Sequence, residues 1–409
     1  MARYTIDEQV ALLMQGTEYG DENLTKAMAR ELRERLILAE KENRPLRVYC
    51  GFDPRTSDLH IGHTVPMRKM RQFQELGHDV TFVVGRFTSL IGDPSDKDKV
   101  RAQLTSDQAA KNAETYANQA FNILDKDRTE IAYNDTWLSK LSFKDLIELS
   151  ANFTLQQFLT RENFRKRWDQ NDAVYLHEFF YAIMQGYDAY HLRADVQIGG
   201  TDQLFNIITA SRKLMESLGE KPNIGIILGI LPGTDGVVKM SKSLGNHIAL
   251  NTTPEDMYGK VMSIPDSAMP SFFRLVTRWS PAEIDQIEDE IVSGKKHPRD
   301  VKMALAREIV AIYHGEHTVE TAEQQFQQIF QQREDPSVMD RVTVSPGSSL
   351  LDIIVDNGLA PSKSEARRLM KQNGVRLDDE AITDPTYALE LESTVVLRVG
   401  KRRFLRLEP

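Results

Sequence analysis

Cysteine is almost missing from this chain: Cys50 is the only one in 409 residues. That excludes an internal disulfide and any structural zinc site built on several cysteines. Long apolar runs are missing too. No stretch of about 18 apolar residues occurs, so no transmembrane helix is expected. The opening MARYTIDEQV lacks a basic stretch followed by an apolar one, so no signal peptide is expected. No internal repeat or low-complexity tract is evident. These absences together fit the cytoplasm. Hydrophobic residues make up 41% and charged residues 27%, a balance that can bury sizeable cores. The length predicts two or three domains.

Net positive charge is also lacking. The formal charge is −9, which on its own argues against nucleic-acid binding. The charge is unevenly spread, however. Residues 341–409 hold 11 Lys+Arg and 10 Asp+Glu, leaving −10 for the remainder. Much of the basic charge in the tail falls in two clusters, Lys363/Arg367/Arg368 and Lys401/Arg402/Arg403/Arg406. An acidic body with a locally basic tail suggests that the tail makes phosphate contacts. An ordinary solvated surface has the same composition.

What is present is an alternation of strands and helices. Residues 1–44 read as helical. LRVYCGF (46–52) and DVTFVVG (79–85) read as strands, the second of the fully buried kind. Between them HIGHTVPMRKMRQFQEL has helical spacing. Gly77 is a plausible stop and Pro66 marks either a kink or the true start. The pattern continues to residue 250, with helices near 106–124, 142–166, 174–190 and 202–218 and strands near 129–134, 194–198 and 224–231. That order predicts an α/β domain with a Rossmann-like parallel sheet. Ligands on such sheets bind beyond the carboxyl ends of the strands. From 251 to 333 the pattern turns helical, 334–341 reads as a polar linker, and 342–409 reads as a small α+β module.

Two motifs fall where this fold would place a nucleotide. His60 and His63 in LHIGH share one helix face at a helix N-terminus, where free N–H groups and the helix dipole attract phosphate. Gly62 between them admits a flat group against the backbone. KMSKS (239–243) follows the turn PGTDG and carries Lys239 and Lys242 three apart, able to close over a triphosphate. Taken singly, each is also readable as two surface histidines or as a basic exposed loop. The pair, about 180 residues apart on an α/β pattern, is a stronger signal.

HIGH and KMSKS together resemble the class I aminoacyl-tRNA synthetases. YCGFDP (49–54), LIGDPSDKDKVR (90–101), EFFYAIMQGYD (178–188) and QIGGTDQ (197–203) are similar to stretches of the bacterial tyrosyl-tRNA synthetases, over essentially the whole chain. GLAPSKSEARRLMKQNGVRLDDEAITDP (358–385) resembles an S4 RNA-binding domain. The resemblance implies a catalytic domain over 1–250 with a helical extension to about residue 44, an α-helical anticodon-side domain and an S4 domain. It implies tyrosine, ATP with Mg²⁺ and tRNA(Tyr) as partners, and a homodimer without membrane attachment. His60, His63, Lys239 and Lys242 would stabilise the transferring phosphates, and Lys97 and Arg101 would grip pyrophosphate. Tyr49 and Asp188 match the phenol-binding pair. Asp93, Tyr181 and Gln185 match residues around the ammonium group, and Gln203 would contact tyrosine. Gly51, Asp53, Gly62, Gly200, Asp202 and Lys242 would line the ATP site.

Some of these positions carry a second reading. Tyr181, Gln185 and Asp188 lie on one helix face, which a core stripe also does, although an aligned Gln and Asp make a purely apolar core a poor fit. Asp202, or Thr201, also suits a helix N-cap. Cys50 suits a small buried position. Lys363, Arg367, Arg368 and Lys371 recur at helical spacing, as an RNA-backbone stripe or as a solvated face. Where many family members carry Thr after Asp-Pro, this chain has Arg55 and then Thr56. The tryptophan enzyme shares the catalytic fold but typically lacks the S4 tail and this pocket. Nucleotidyltransferases with H-x-G-H usually lack KMSKS joined to an S4 module. A non-catalytic RNA-binding paralogue would be expected to lack signature residues that are present here.

Overall fold

The computed structural model describes residues 4–54, 59–94, 119–328, 339–378, 380–400 and 403–409. The chain divides into two compact units, one of Met1–Thr252 with Ser263–Tyr313, the other of Thr253–Met262 with His314–Pro409.

The first unit is organised by five parallel strands: β1 (Arg47–Phe52), β2 (Asp79–Val84), β3 (Thr129–Tyr133), β4 (Val196–Gly200) and β5 (Ile224–Leu228). Their order is β3-β2-β1-β4-β5. All four pairings are parallel, with Gly51 opposite Val83 and Gly199 opposite Ile227 near the carboxyl ends. β5 is buried at every position, as a strand covered on both faces must be, and its β-branched IGIIL sequence suits that place. The winding reverses between β1 and β4, so the crevice outside their carboxyl ends is the expected ligand site.

The helices follow their capping signals. Thr5 and Glu8 form a capping box at the start of Ile6–Met14, and Asp21 caps Glu22–Lys41. After β1 the chain makes a single tight turn, Ile61–His63, and then the helix Thr64–Glu75. Pro66 sits in the first turn, where its missing N–H costs nothing. Gly77 ends the helix with φ +93°, a conformation that L side chains rarely adopt. The helical stretch expected over 142–166 is three pieces, Phe143–Ser150, Leu155–Phe158 and Glu162–Asp169. Ser142 caps the first piece and Thr154 restarts the helix at the second, each closing a capping box, while the third begins after Arg161 without a side-chain cap. Residues 205–211 form a π-helical segment before the α-helix Arg212–Ser217. The helix expected near 106–124 lies mostly outside the described residues. Against the sheet packs a core that includes Tyr49, Val83, Trp137, Met184 and Ala189.

In the second unit Tyr258 of Pro254–Met262 meets Phe326 of Val319–Gln327. Beyond them lies a five-stranded mixed sheet, ordered Arg341–Thr343, Arg403–Glu408, Val395–Val399, Val375–Leu377 and Glu380–Ala381. The helices Leu350–Asp356 and Lys363–Lys371 share its core through Leu350, Ile354, Ala366 and Met370, packed with Val375, Leu397 and Leu405.

Candidate active site

The HIGH turn and the KMSKS loop meet at the carboxyl edge of the sheet. Ile61 N–H donates to the Ile248 carbonyl and Leu250 N–H to the Leu59 carbonyl, both at 3.0 Å. The two motifs are thus stitched by a short antiparallel bridge just downstream of KMSKS. The His60 and His63 rings stack at 3.7 Å, and His63 Nδ1 accepts from the His60 N–H at 3.2 Å. A Cβ on residue 62 would stand 3.0 Å from the His60 ring and 3.5 Å from the buried Met240. Glycine therefore lets the first histidine and the loop close on the turn.

Burial pulls His60 down to about pH 3 and His63 to about 4, and the positive charges of Lys239 and Lys242 act in the same direction. Both imidazoles are neutral near pH 7 and can donate hydrogen bonds without carrying charge. Lys239 and Lys242 are exposed. His60 Nδ1 is buried without a hydrogen-bond partner, a polar atom placed to receive a ligand group.

A second cluster lies on the sheet face covered by the helix Leu176–His191. Tyr49 is buried on β1 and its hydroxyl donates to the Gln185 carbonyl at 3.2 Å. Burial and the neighbouring Asp188 carboxylate push the Tyr49 phenol well above its ordinary range. Asp188 is buried; its carboxylate accepts from Trp137 Nε1 at 2.7 Å and from Asn134 Nδ2 at 3.2 Å. Burial raises its pKa to about 7, against the opposing pull of those two donors. One turn back, the Gln185 side-chain oxygen is buried with no partner. One turn further, the Tyr181 hydroxyl donates to Asp53 Oδ2 at 3.1 Å, and Asp53 Oδ1 accepts from Thr88 at 2.8 Å. A Cβ on residue 85 would overlap Asp53 Oδ1 at 2.2 Å, so Gly85 is the cradle for this carboxylate.

At the head of the π-helical segment Gln203 bridges two acids. Its amide donates to Asp93 and, at 3.3 Å, to Asp202, while its oxygen accepts from Asn206 at 3.0 Å. A Cβ on residue 200 would stand 2.5 Å from Asp202 Oδ1. Gly51 is exposed, with nothing within 4 Å of where a Cβ would stand, so the end of β1 is open. Asp53, Asp93 and Asp188 all raise the Tyr181 phenol, beyond the larger effect of its burial.

The structure thus gathers Tyr49, Asp53, Asp93, Tyr181, Gln185, Asp188, Asp202 and Gln203 around one crevice. Sequence reading missed four members: Thr88, Asn134, Trp137 and Arg161. Arg161 is buried between the Phe164 and Phe205 rings, at 4.8 and 5.2 Å. Its burial lowers its pKa, and Asp93, Tyr181, Glu178 and Asp202 oppose that. Lys97, Arg101, Arg55 and Thr56 lie outside the described residues. In the tail Lys363, Arg367, Arg368 and Lys371 are all exposed. Lys363 pairs with Asp352 at 2.5 Å and Arg368 with Glu365 at 2.6 Å. Among the described residues no group of three or more His, Cys, Asp or Glu is placed to hold a metal ion, and no helix is long and apolar enough to cross a membrane.

Comparison with known proteins identifies the family. Residues 41–331 match the family model for tRNA synthetases class I (W and Y), and 325–407 match that for the tyrosine–tRNA ligase SYY-like C-terminal domain. The tyrosine–tRNA ligase of Moorella thermoacetica is 46% identical over 92% of this chain and 91% of its own. Tyrosine–tRNA ligase 2 of Clostridium acetobutylicum is 44% identical over 98% of both. Among solved structures, a C-terminally truncated mitochondrial tyrosyl-tRNA synthetase of Aspergillus nidulans superposes with a TM-score of 0.62 at 23% identity. It covers 80% of this chain and 95% of its own, a likeness of fold. With both family models matched and its relatives aligned nearly end to end, the chain belongs to the tyrosine–tRNA ligases of the class I synthetase family.

Proposed function

We propose that the crevice between β1 and β4 performs the first half of the ligase reaction, with tyrosine on the Tyr49/Asp188 side and ATP on the HIGH/KMSKS side. The observation that carries this reading is the bridge joining 59–61 to 248–250, beside which His60 and His63 lie within reach of the Lys239 and Lys242 charges. The enzyme is a tyrosine–tRNA ligase and uses ATP as substrate. A tyrosine carboxylate oxygen attacks the α-phosphorus of ATP. The bond from that phosphorus to the bridging oxygen breaks, and pyrophosphate leaves with the electron pair. A terminal ribose hydroxyl of the tRNA then attacks the tyrosyl carbonyl and expels AMP.

The substrate brings its own nucleophile, so the protein supplies position and charge. Asp188 and Tyr49 take the phenol hydroxyl. An analogue without it would leave buried polar groups unpaired. The Gln185 oxygen, Tyr181 and Asp93 surround the ammonium group, and Gln203 orients Asp93. Asp202 takes the ribose hydroxyls beside Gly200, and Gly51 with Asp53 borders the nucleotide. His60 and His63 donate to phosphate oxygens as the negative charge shifts, and Lys239 and Lys242 hold the departing pyrophosphate. Each such donor contributes about 3 kcal/mol in the transition state. Lys97 and Arg101 are assigned to the pyrophosphate by resemblance. Mg²⁺ enters with ATP rather than in a protein cage.

The tail is assigned to the tRNA, with Arg367 and Lys371 on the outer face of their helix. The protein is assigned to the cytoplasm, without membrane attachment, and to a homodimer. Support for the dimer comes from large apolar side chains left exposed on 143–176, among them Phe143 at 78% and Leu176 at 71%, with Ile147, Leu155 and Trp168. Pyrophosphate exchange with each of the twenty amino acids tests the activation step. Exchange supported by tyrosine is expected. Exchange with a different amino acid in its place refutes the specificity, and exchange with none refutes the enzyme reading.

A further inference from the structure

The lysines of KMSKS sit on a loop whose exposed residues include Val237 and Val238, yet its backbone is tied down by one buried side chain. Asn246, 7% exposed, donates through Nδ2 to Asp235 Oδ2 at 2.5 Å and to the carbonyls of Lys239 and Val238 at 3.3 and 3.4 Å. Its Oδ1 accepts from Ser241 N–H at 2.8 Å, and its carbonyl accepts from Thr234 N–H at 2.9 Å. Asp235 reaches back to the same loop, its Oδ1 accepting from Val237 and Val238 N–H, both at 2.8 Å. Gly233 is shaped for this contact: a Cβ there would stand 2.2 Å from Asn246 Nδ2. The ring closes through Gly233 N–H to the Val238 carbonyl at 2.8 Å and Met240 N–H to the Leu231 carbonyl at 3.1 Å.

We propose that Asp235 and Asn246 form a positioning latch for the activation step, fixing the backbone on both sides of Lys239 and just before Lys242 so that both ammonium groups reach the pyrophosphate together. Asn246 contacts the backbone of Lys239 and of Ser241, next to Lys242, and Asp235 contacts Asn246 and the backbone just before Lys239. The latch thus acts only through the lysines. This inference rests on the activation reading above.

The test compares full-length Asn246→Ala, the same-size Asn246→Asp, and Asp235→Ala at an exposed position, each with the parent. In tyrosine-dependent pyrophosphate exchange all three are expected to lose about tenfold or more in kcat. The KM for tyrosine is expected to stay within about twofold. The Asp235→Ala/Asn246→Ala pair is expected to be no slower than Asn246→Ala alone, because the two residues act as a unit. Without substrates, trypsin is expected to cut after Lys239 and Lys242 about fivefold faster in the variants, relative to cleavage elsewhere in the same chain. Parent-like kcat, parent-like cleavage at these two lysines, additive losses, or a tyrosine KM that rises in step with the lost rate each overturn the latch. If the parent itself shows no exchange with tyrosine, the activation reading fails, and the trypsin comparison still decides whether the pair holds the loop.

Discussion

Replacing Trp137 with Phe removes one hydrogen bond from a carboxylate that has little else to keep it ionised. Trp137 Nε1–H donates to Asp188 at 2.7 Å inside the core, and burial already holds Asp188 near pH 7. A hydrogen bond to a buried charge contributes about 1.5–3 kcal/mol. At about 1.4 kcal/mol per pH unit, its loss lifts Asp188 by about one to two units, to about 8.5. At pH 7.5 the ionised fraction then falls from about three quarters to about a tenth. The ionised form is the stronger acceptor for a phenol hydroxyl. The KM for tyrosine in pyrophosphate exchange, at saturating ATP, should therefore rise about eightfold at pH 7.5. It should return most of the way to the parent value at pH 9, where Asp188 ionises again. Equal elevation at both pH values would mean that Phe only disturbs packing against His191, whose ring stacks on Trp137 at 4.5 Å. An unchanged KM at pH 7.5 would show that Asp188 does not bind the phenol as a carboxylate.

Other expectations rest on separate parts of the molecule. His60 and His63 have folded pKa values pulled below the ordinary 6.5, so between about pH 4 and 6.5 the unfolded chain binds protons that the native chain refuses. Stability should fall as pH drops through that window, and a His60→Asn/His63→Gln variant should lose less Tm between pH 7 and 5 than the parent. An identical loss would show that the pair does not resist protonation. Leu176→Glu puts a charge on the exposed apolar surface of 143–176 and should yield a monomer in sedimentation at micromolar protein, where the parent is expected to sediment as a dimer. A parent that sediments as a monomer would remove the dimer reading. Arg367→Gln with Lys371→Gln should weaken tRNA binding and reduce the slope of log affinity against log salt by about one to two. An unchanged slope would return that helix face to the status of solvated surface.

How far the site was legible depended on whether its parts were neighbours in the chain. LHIGH and KMSKS each fall within five residues and could be picked out locally, but only their pairing on an α/β pattern pointed to a phosphate site. Tyr181, Gln185 and Asp188 were named by resemblance, helical spacing adding that they share a face, and the structure buries Tyr181 and Asp188 on it. Their division of labour was not legible. Gln185 meets Tyr49 through its backbone carbonyl, and Tyr181 is tied to Asp53. Trp137 and Asn134 lie just past the end of β3, two strands away from β1 in the sheet, and only the strand order brings them to Asp188. Arg161 stands in the break between two short helical pieces that read as one long helix, because the third piece starts without a side-chain cap to mark it in the sequence.

Under the proposed reading, charge placement is what lets one crevice suit both ends of an aminoacyl transfer. The net charge of −9 is an average over opposed regions. Burial raises the Tyr181 phenol, and Asp53, Asp93 and Asp188 add to that rise, so three acids face this side of the crevice. Arg161, buried among them, sets a positive charge beside Asp93 and Asp202. On the other side Lys239 and Lys242 help to hold both histidines neutral. A neutral imidazole donates to a phosphate oxygen and releases it with a smaller electrostatic penalty than an imidazolium does. Under the proposed activation reading, a bound amino acid points its ammonium toward the acids and its carboxylate toward the phosphates, and the field of the site orders the two substrates along the reaction coordinate.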